Sequence, residues 1–194
     1  MKADEGDAVP KLSDEELVDL VRESDTEAYV EVVVRYQQKL YRYLKYLTGE
    51  TGAAEDLVQD VFIKAYRNLF GFDTRRSFSS WIYRIAHNEG VNYLKKSRRH
   101  RVTSLDALGT SPAAKEPSSY DELHRRQLQQ MLHECLDELE ARYRGPLALY
   151  YFEDKTYRDI SEILRVPTGT VGTLISRGKK RLRIICEERM RQDG

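Results

Sequence analysis

The chain of 194 residues has only two cysteines, one tryptophan and no long apolar run. Cys135 and Cys186 lie far apart without a C-x-x-C spacing, which argues against a disulfide framework or a zinc site and fits a reducing compartment. His133 lies two residues before Cys135, but nothing elsewhere completes a metal site, so we predict no metal and no cofactor. No run approaches the ~20 apolar residues of a membrane span, and the acidic N-terminus lacks the apolar core of a signal peptide. We therefore expect a cytoplasmic protein without membrane insertion.

Catalytic signatures are also missing. No histidine, cysteine or carboxylate pair stands in a recognisable catalytic arrangement, so we do not expect an enzyme. The segment from Gly172 to Gly178-Lys179 superficially resembles a phosphate-binding loop. However, five residues separate its glycines where four are required, Lys180 stands where a hydroxyl should hold magnesium, and no strand precedes it. This segment is not a nucleotide site.

The formal net charge of zero conceals a strong segregation of charge along the chain. Residues 1–30 have a net charge of −7, residues 61–101 of +8, residues 102–140 of −5 and residues 166–194 of +4. Two basic blocks, each at the end of a helical pattern and separated by an acidic block, favour two surfaces that contact a polyanion. Nucleic acid is therefore the expected ligand.

Apolar residues recur every three or four positions over most of the chain, which predicts helices and no strands. The pairs Ser13/Glu16 and Thr156/Asp159 have the spacing of capping motifs that open helices. Pro146 is placed in the first turn of its helix, where proline is tolerated. The predicted helices are Leu17 to Val21, 27–47, 53–69, Ser79 to Ser97, 121–140, 146–153, Thr156 to Leu164, and 170–190.

The stretch 102–120 differs from the rest because glycine, serine and proline are frequent and no period is present. It predicts a flexible linker between two small bundles. The expected organisation is all-α, with a disordered tail over 1–12, a first domain over 13–101 and a second over 121–194.

Residues 156–183 have the layout of a helix-turn-helix, with a short capped helix, a tight turn and a longer basic helix. At 100° per residue, the apolar positions of the last helix cluster on one side and the polar and basic positions on the other. The outward side chains, which suit base edges and phosphates in a DNA major groove, are Thr173, Ser176, Arg177 and Lys180. Thr168 and Thr170 stand at the helix N-terminus, where free N–H groups can bind a phosphate.

Residues 78–101 interleave aromatic side chains with cations, a combination that suits single-stranded nucleic acid. Phe78, Trp81 and Ile85 are expected in the core. The basic run from Lys95 to Arg101 is not, since no core could accommodate it. Helix 53–69 carries an outward polar face that, by itself, predicts only a solvated surface.

Taken in order, AEDLVQDVFIKAY, SFSSWIYRIAHN with its basic tail, the linker, and YRDISEILRVPTGTV with RGKKRLR resemble the extracytoplasmic-function (ECF) group of bacterial RNA polymerase sigma factors. The resemblance spans residues 13 to 188. It implies that the partners are promoter DNA, an anti-sigma factor and core RNA polymerase, through the clamp coiled coil of its largest subunit and its flap. It also implies that the loop 70–80 captures a flipped base of the −10 element, and that 169–183 binds the −35 element as duplex.

The resemblance assigns roles to three sets of residues. The polymerase-binding residues are Asp56, Gln59, Asp60, Ile63 and Lys64. The −10 residues are Phe72, Ser79, Arg84, Asn88, Asn92, Lys95, Lys96, Arg98 and Arg99. The −35 residues are Arg158, Thr168, Thr170, Thr173, Ser176, Arg177 and Lys180.

The chain departs from the family pattern in two places. Gly172 and Leu174 stand where relatives commonly carry cations, and Trp81 is the only tryptophan where housekeeping sigma factors have a pair. Two other functions fit parts of the sequence. A helix-turn-helix regulator would bind duplex operators alone without needing the 54–67 surface, and an interaction protein with no DNA role is disfavoured by the +8 block.

Overall fold

The computed structural model describes residues 12–103 and 130–192, and side chains are described within these ranges except at 98–103. The described residues form helices, short 3-10 turns and connecting loops, with no strand, as the all-α prediction required. The 3-10 turns are Thr26–Ala28 and Leu69–Gly71. The helices are α1 Asp14–Glu23, α2 Tyr29–Thr48, α3 Thr51–Asn68, α4 Phe78–Thr103, α5 130–138, α6 Ala141–Tyr151, α7 Tyr157–Leu164 and α8 Thr168–Gln192. The predicted tail over 1–12, except for Leu12, and the predicted linker lie outside the described residues.

Two helix starts form as predicted, through reciprocal hydrogen bonds. At α1, the Glu16 backbone N–H donates to the Ser13 hydroxyl, and the Ser13 backbone N–H donates to the Glu16 carboxylate at 2.8 Å. Thr156 and Asp159 repeat the arrangement at α7. Each pair of reciprocal hydrogen bonds, known as a capping box, satisfies two backbone N–H groups that a helix N-terminus otherwise leaves without partners.

The end of α2 depends on one glycine. Gly49 adopts the left-handed conformation with φ of 78°, which glycine tolerates better than any other residue. A Cβ at this position would also stand 2.6 Å from the Asp137 carboxylate of α5. Gly49 therefore ends the helix and allows a second element to approach it closely.

The prediction for Pro146 was wrong. Helix α6 begins at Ala141, five residues earlier than the proline, so Pro146 lies inside the helix. Burial explains the earlier start. Tyr143 and Arg144 are only 4% and 5% exposed, and the Arg144 guanidinium donates to the backbone oxygen of Leu136 at 3.2 Å. Packing of this turn outweighs the hydrogen bond that the proline removes.

The prediction against a disulfide was also wrong. Cys135 on α5 and Cys186 on α8 form a disulfide, with their Cα atoms 5.5 Å apart. The same two helices are joined by ion pairs from Arg189 to Glu134 and Glu138. The sequence separation of 51 conceals this proximity.

Helices α1 to α4 form the first bundle and α5 to α8 the second, and the two share one apolar core. In the first bundle, α2 supplies the central side chains, which α3 and α4 cover. The second bundle packs α6 against α8 and places α7 against α4 of the first. The largest fully buried side chains include Leu40, Tyr43, Leu44, Leu47, Ile82 and Tyr83 in the first bundle and Leu147, Leu149, Ile160 and Ile163 in the second.

Candidate nucleic-acid and protein interfaces

Helix α8 presents the face that its periodicity predicts. Val171, Ile175 and Gly178 are buried within the second bundle. Leu174 is half-buried at the edge of this face. The side chains predicted to face outward are all exposed: Thr173, Ser176, Arg177 and Lys180.

Gly178 sets how closely α8 approaches α6. A Cβ built on this glycine would lie 3.0 Å from Leu147 and 3.2 Å from Tyr143, both on α6. The neighbours of Gly178 in sequence, Arg177 and Lys179, are exposed, and the Lys179 ammonium lies 5.9 Å from the ring centroid of Tyr151 at the end of α6. Gly178 is therefore buried between two exposed cations.

The turn before α8 and the start of α7 carry the remaining predicted duplex-binding residues. Thr168 and Thr170 are exposed in the first turn of α8. Arg158 in α7 is exposed and makes only a 3.6 Å ion pair with Glu162, which leaves its guanidinium able to exchange partners.

Three tyrosines beside α8 were missed by the sequence analysis. Tyr150 and Tyr151 end α6, Tyr157 begins α7, and their rings stack edge to face with centroids 4.9 and 5.3 Å apart. They line an open cavity of about 370 Å³ together with Ser176, Lys179 and Lys180. The only signal in the sequence was the Tyr-Tyr pair after a buried run, which an ordinary helix end also explains.

The loop before α4 is held against α1. The Arg22 guanidinium donates to the backbone oxygens of Leu69 and Phe72, and the Phe78 N–H donates to Glu15 at 2.7 Å. Phe72, Phe78 and Trp81 form an aromatic cluster with centroids 5.0 to 5.6 Å apart. Phe72, a predicted base-binding residue, is therefore only 5% exposed in this structure.

Two further predicted −10 residues are covered by the second bundle. Ser79 accepts a hydrogen bond of 2.8 Å from Lys155, which follows α6. Arg84 is half-buried beside α7, where desolvation, together with the nearby charge of Arg165, lowers the pKa of its guanidinium. Farther along α4, Asn88, Asn92, Lys95 and Lys96 are exposed, whereas the side chains of Arg98 and Arg99 lie outside the described set.

The loop also carries two exposed cations that the sequence analysis did not select. Arg75 and Arg76 have side chains 89% and 74% exposed. Asp73 accepts hydrogen bonds from Arg75 at 2.8 and 3.0 Å, and these lower the pKa of Asp73 to about 2. The carboxylate fixes the direction of Arg75 without covering it.

The outward face of α3 is more apolar than predicted. Asp56, Gln59 and Asp60 are exposed as expected, and Ile63 is 48% exposed. Tyr66 and Phe70 extend the same face and are 43% and 74% exposed. Lys64 instead pairs with Glu89 of α4, so its charge is partly engaged within the bundle.

Two valines of α2 are also exposed. Val30 and Val34 are 65% and 67% exposed, and Tyr29 beside Val30 contacts Tyr66 with centroids 4.9 Å apart. An exposed apolar patch rimmed by carboxylates is typical of a protein-binding surface.

The two bundles meet at a buried carboxylate. Glu153, two residues after α6, has a side chain only 1% exposed. It accepts a hydrogen bond of 2.6 Å from the Tyr83 hydroxyl of α4, and both carboxylate oxygens lie 3.3 Å from the Arg42 guanidinium of α2. Desolvation and the Glu153 carboxylate both raise the pKa of Tyr83, which keeps its hydroxyl a neutral donor.

Family profiles match the sequence of each bundle. The family profile described as Sigma-70 region 2 matches residues 32–100, and that described as Sigma-70, region 4 matches residues 129–182. The ECF RNA polymerase sigma factor SigW of Bacillus subtilis is 31% identical over 170 residues, covering 84% of this chain and 91% of the relative. The ECF RNA polymerase sigma-E factor of Escherichia coli is 33% identical over 178 residues, covering 88% and 92%. The chain belongs to the ECF RNA polymerase sigma factors.

As a member of this family it serves promoter-specific transcription initiation and is not an enzyme. Its fold resembles that of the sigma factor RpoE from Bartonella quintana in complex with the anti-sigma factor NepR, with a TM-score of 0.68 and 24% identity over 82% of this chain and 96% of that one. It also resembles CnrH in complex with the cytosolic domain of CnrY, with a TM-score of 0.67 and 19% identity over 90% and 97%.

Among the described residues, no helix combines the length and apolar character needed to cross a bilayer. Within 12–103 and 130–192, no group of three histidine, cysteine or carboxylate side chains could hold a metal ion.

Proposed function

We propose that this sigma factor binds core RNA polymerase through the α3 face, binds the −10 element as a single strand through α4 and its preceding loop, and binds the −35 element as duplex through α8. It acts in the cytoplasm, where its polymerase and promoters are. The observation that carries the proposal is that one chain presents an apolar and acidic protein-binding face on α3 and a polar and basic face on α8.

The chemistry of each surface supports its assignment. On α3, Ile63, Tyr66 and Phe70 offer apolar area, and Asp56 and Asp60 can pair with basic residues of a coiled coil. On α8, short hydroxyls and Arg177 suit base edges, while Lys180 suits a phosphate. On α4, the exposed Asn88, Asn92, Lys95 and Lys96 suit an unpaired strand. Tyr150, Tyr151 and Tyr157 beside α8 add hydroxyl groups that can donate hydrogen bonds to the phosphates of a duplex bound by α8.

An anti-sigma factor is the proposed regulator. RpoE of Bartonella quintana was solved with NepR, and CnrH with part of CnrY. We extend this kind of partner to the present chain, whose α3 face offers an apolar area that an inhibitor can cover in competition with polymerase.

The test is a pull-down with core RNA polymerase, followed by promoter-dependent transcription in vitro. Asp56→Arg together with Gln59→Ala should abolish association while circular dichroism shows unchanged helical content, because both side chains are exposed and support no internal packing. The matched control is Glu188→Arg with Gln192→Ala, which makes the same kind of changes on exposed positions of α8, outside the α3 face. Full transcription by the α3 double variant would refute the assignment of this face.

A further inference from the structure

The loop between α3 and α4 carries two adjacent arginines that meet one carboxylate in different ways. The Arg75 guanidinium donates two hydrogen bonds to Asp73, from Nε to one carboxylate oxygen at 2.8 Å and from Nη2 to the other at 3.0 Å. The Nε atom of Arg76 lies 3.9 Å from the same carboxylate, beyond the range of a hydrogen bond. The carboxylate therefore fixes the direction of Arg75 but not that of Arg76.

A tight turn of the backbone supports this pair. The Asp73 carboxylate also accepts the Arg75 N–H at 3.1 Å, and the Asp73 carbonyl accepts the Arg76 N–H at 2.9 Å. Exposed ion pairs usually contribute little because both side chains move, but a two-bonded pair of arginine and carboxylate is the exception. Here the same aspartate forms the turn and orients the guanidinium.

The loop is also anchored on both sides of the turn. Before it, Arg22 of α1 donates to the Phe72 carbonyl, and after it Glu15 of α1 accepts the Phe78 N–H at 2.7 Å. The rings of Phe72 and Phe78 pack against each other with centroids 5.6 Å apart. Arg75 therefore extends from a fixed backbone, and less conformational entropy is lost when its guanidinium binds a ligand.

Asp73 covers one edge of the Arg75 guanidinium and leaves the end of it exposed. The two bonds to the carboxylate use the edge formed by Nε and Nη2. The end of the guanidinium, formed by Nη1 and the second N–H of Nη2, carries two parallel donors on a side chain that is 89% exposed. Two parallel donors match a ligand with two adjacent acceptors.

Two of the four DNA bases offer adjacent acceptors on one edge. Guanine has O6 and N7 on its major-groove edge. Cytosine has O2 and N3 on the edge that normally pairs with guanine, and this edge becomes accessible when the base is unpaired. On the same edges, adenine and thymine place a donor or a methyl group beside an acceptor. The end of the Arg75 guanidinium therefore suits an unpaired guanine or cytosine.

The carboxylate also distinguishes this loop from a surface that binds only phosphates. Binding to the DNA backbone increases with each cation that neutralises a phosphate, and a nearby carboxylate opposes it. Asp73 is useful where the direction of Arg75 matters more than its charge, as it does for a base edge. Arg76, without a hydrogen bond to this carboxylate, suits a phosphate beside that base.

We propose that Arg75, positioned by Asp73, selects a guanine or cytosine in the unpaired −10 element through two hydrogen bonds. The inference rests on the proposed function, because it names the base that the loop before α4 recognises. Arg75 touches the base, Asp73 acts through Arg75, and Arg76 contacts the backbone. Base preference and general affinity for the strand thus belong to different residues of one loop.

Four variants separate these roles. Arg75→Lys keeps the charge but lacks the planar pair of donors. Asp73→Asn removes the charge of the carboxylate with little change in size, and Arg76→Ala removes the backbone contact. Arg142→Lys in the second bundle is the matched control, because Arg142 also pairs with a carboxylate two residues earlier, that of Glu140, and is 60% exposed. Circular dichroism confirms that each variant is folded.

The assay uses the holoenzyme formed from core RNA polymerase and the full-length sigma factor. A library of single-stranded oligonucleotides with a randomised central segment is incubated with each holoenzyme, and the bound fraction is sequenced. Fluorescence anisotropy then gives the affinity for the selected sequence and for each of its single-base substitutions.

The wild type should select guanine or cytosine at one position, and replacing that base should weaken binding roughly tenfold or more. Arg75→Lys should remove most of this preference and leave the preferences at other positions unchanged. Asp73→Asn should also reduce it, yet bind the other sequences more tightly because a negative charge is lost. Arg76→Ala should weaken binding to every sequence by a similar factor, and Arg142→Lys should match the wild type.

An unchanged preference in the Arg75→Lys holoenzyme would overturn the inference. Loss of the same preference in Arg142→Lys or Arg76→Ala would overturn it too, as would adenine or thymine at the affected position. In each of these cases the wild type still selects a sequence, so the proposed function stands. If the wild-type holoenzyme selects no sequence from the library, the proposed binding of the −10 strand fails, and the inference fails with it.

Discussion

Breaking the Cys135–Cys186 bond should destabilise the second bundle by about 4 kcal/mol. The bond closes a loop with a sequence separation of 51, and the chain-entropy relation gives about 4 kcal/mol for a loop of that length at 25 °C. Arg189 of α8 also forms ion pairs with two partly exposed carboxylates of α5, and such pairs contribute less than about 1 kcal/mol each. The disulfide therefore contributes more than either of these ion pairs.

The assay is urea unfolding of oxidised and reduced protein, followed by circular dichroism, with the bond state verified by thiol labelling. With an m-value of about 2 kcal/mol per molar, reduction should lower the midpoint of the second bundle by about 2 M. Cys186→Ser should unfold at the midpoint of the reduced wild type and should not respond to reductant. Equal midpoints for fully oxidised and fully reduced wild type would refute the loop-entropy reasoning.

The proposed DNA surfaces and the partly buried His87 of α4 give three more predictions. Arg177→Ala should cost about 1–3 kcal/mol in holoenzyme binding at the native −35 element and little at a scrambled one, whereas equal losses on both would show that Arg177 touches only phosphate. Lys95→Ala with Lys96→Ala should weaken binding at every promoter alike and reduce the slope of log affinity against log salt by nearly one unit per lost phosphate contact. Desolvation lowers the pKa of His87 to about 4, so its neutral form stabilises the fold above pH 6.5. This contribution, about 3 kcal/mol, should be lost as the pH falls from 6.5 to 4, and a His87→Gln variant should lack that part of the pH dependence in urea unfolding.

Local features of the fold could be predicted because a few neighbouring residues determine them. The capping pairs Ser13/Glu16 and Thr156/Asp159 form within four residues, and the outward face of α8 follows from helical periodicity alone. For the same reason the exposed positions of Asp56 and Gln59 on α3 were predicted correctly.

Features that depend on contacts between distant segments could not be predicted. The disulfide joins residues 51 apart, and the Tyr83–Glu153 hydrogen bond joins residues 70 apart. Phe72 was expected to be available to a base, but Arg22 and the aromatic rings of α4 hold its loop in the core. The start of α6 was predicted five residues too late. The burial of Tyr143 outweighs the preference of Pro146 for the first turn of a helix, and that burial cannot be recognised from neighbouring residues in the sequence.

The close packing at Gly178 has a consequence for how promoter preference can diverge among descendants of this protein. On the proposed −35 surface, substitutions at Thr173, Ser176 or Arg177 would change which bases are contacted and would leave the packing of α8 on α6 intact, since these side chains face solvent. A substitution at Gly178 acts differently, because even a methyl group would stand 3.0 Å from Leu147 and 3.2 Å from Tyr143, closer than ordinary van der Waals contact. Either these side chains shift by a few tenths of an ångström or α8 moves away from α6, and in the second case every side chain of the proposed −35 surface shifts at once without any of them being altered. Gly178 thus acts on the position of the whole surface, whereas each exposed residue acts only on its own contact.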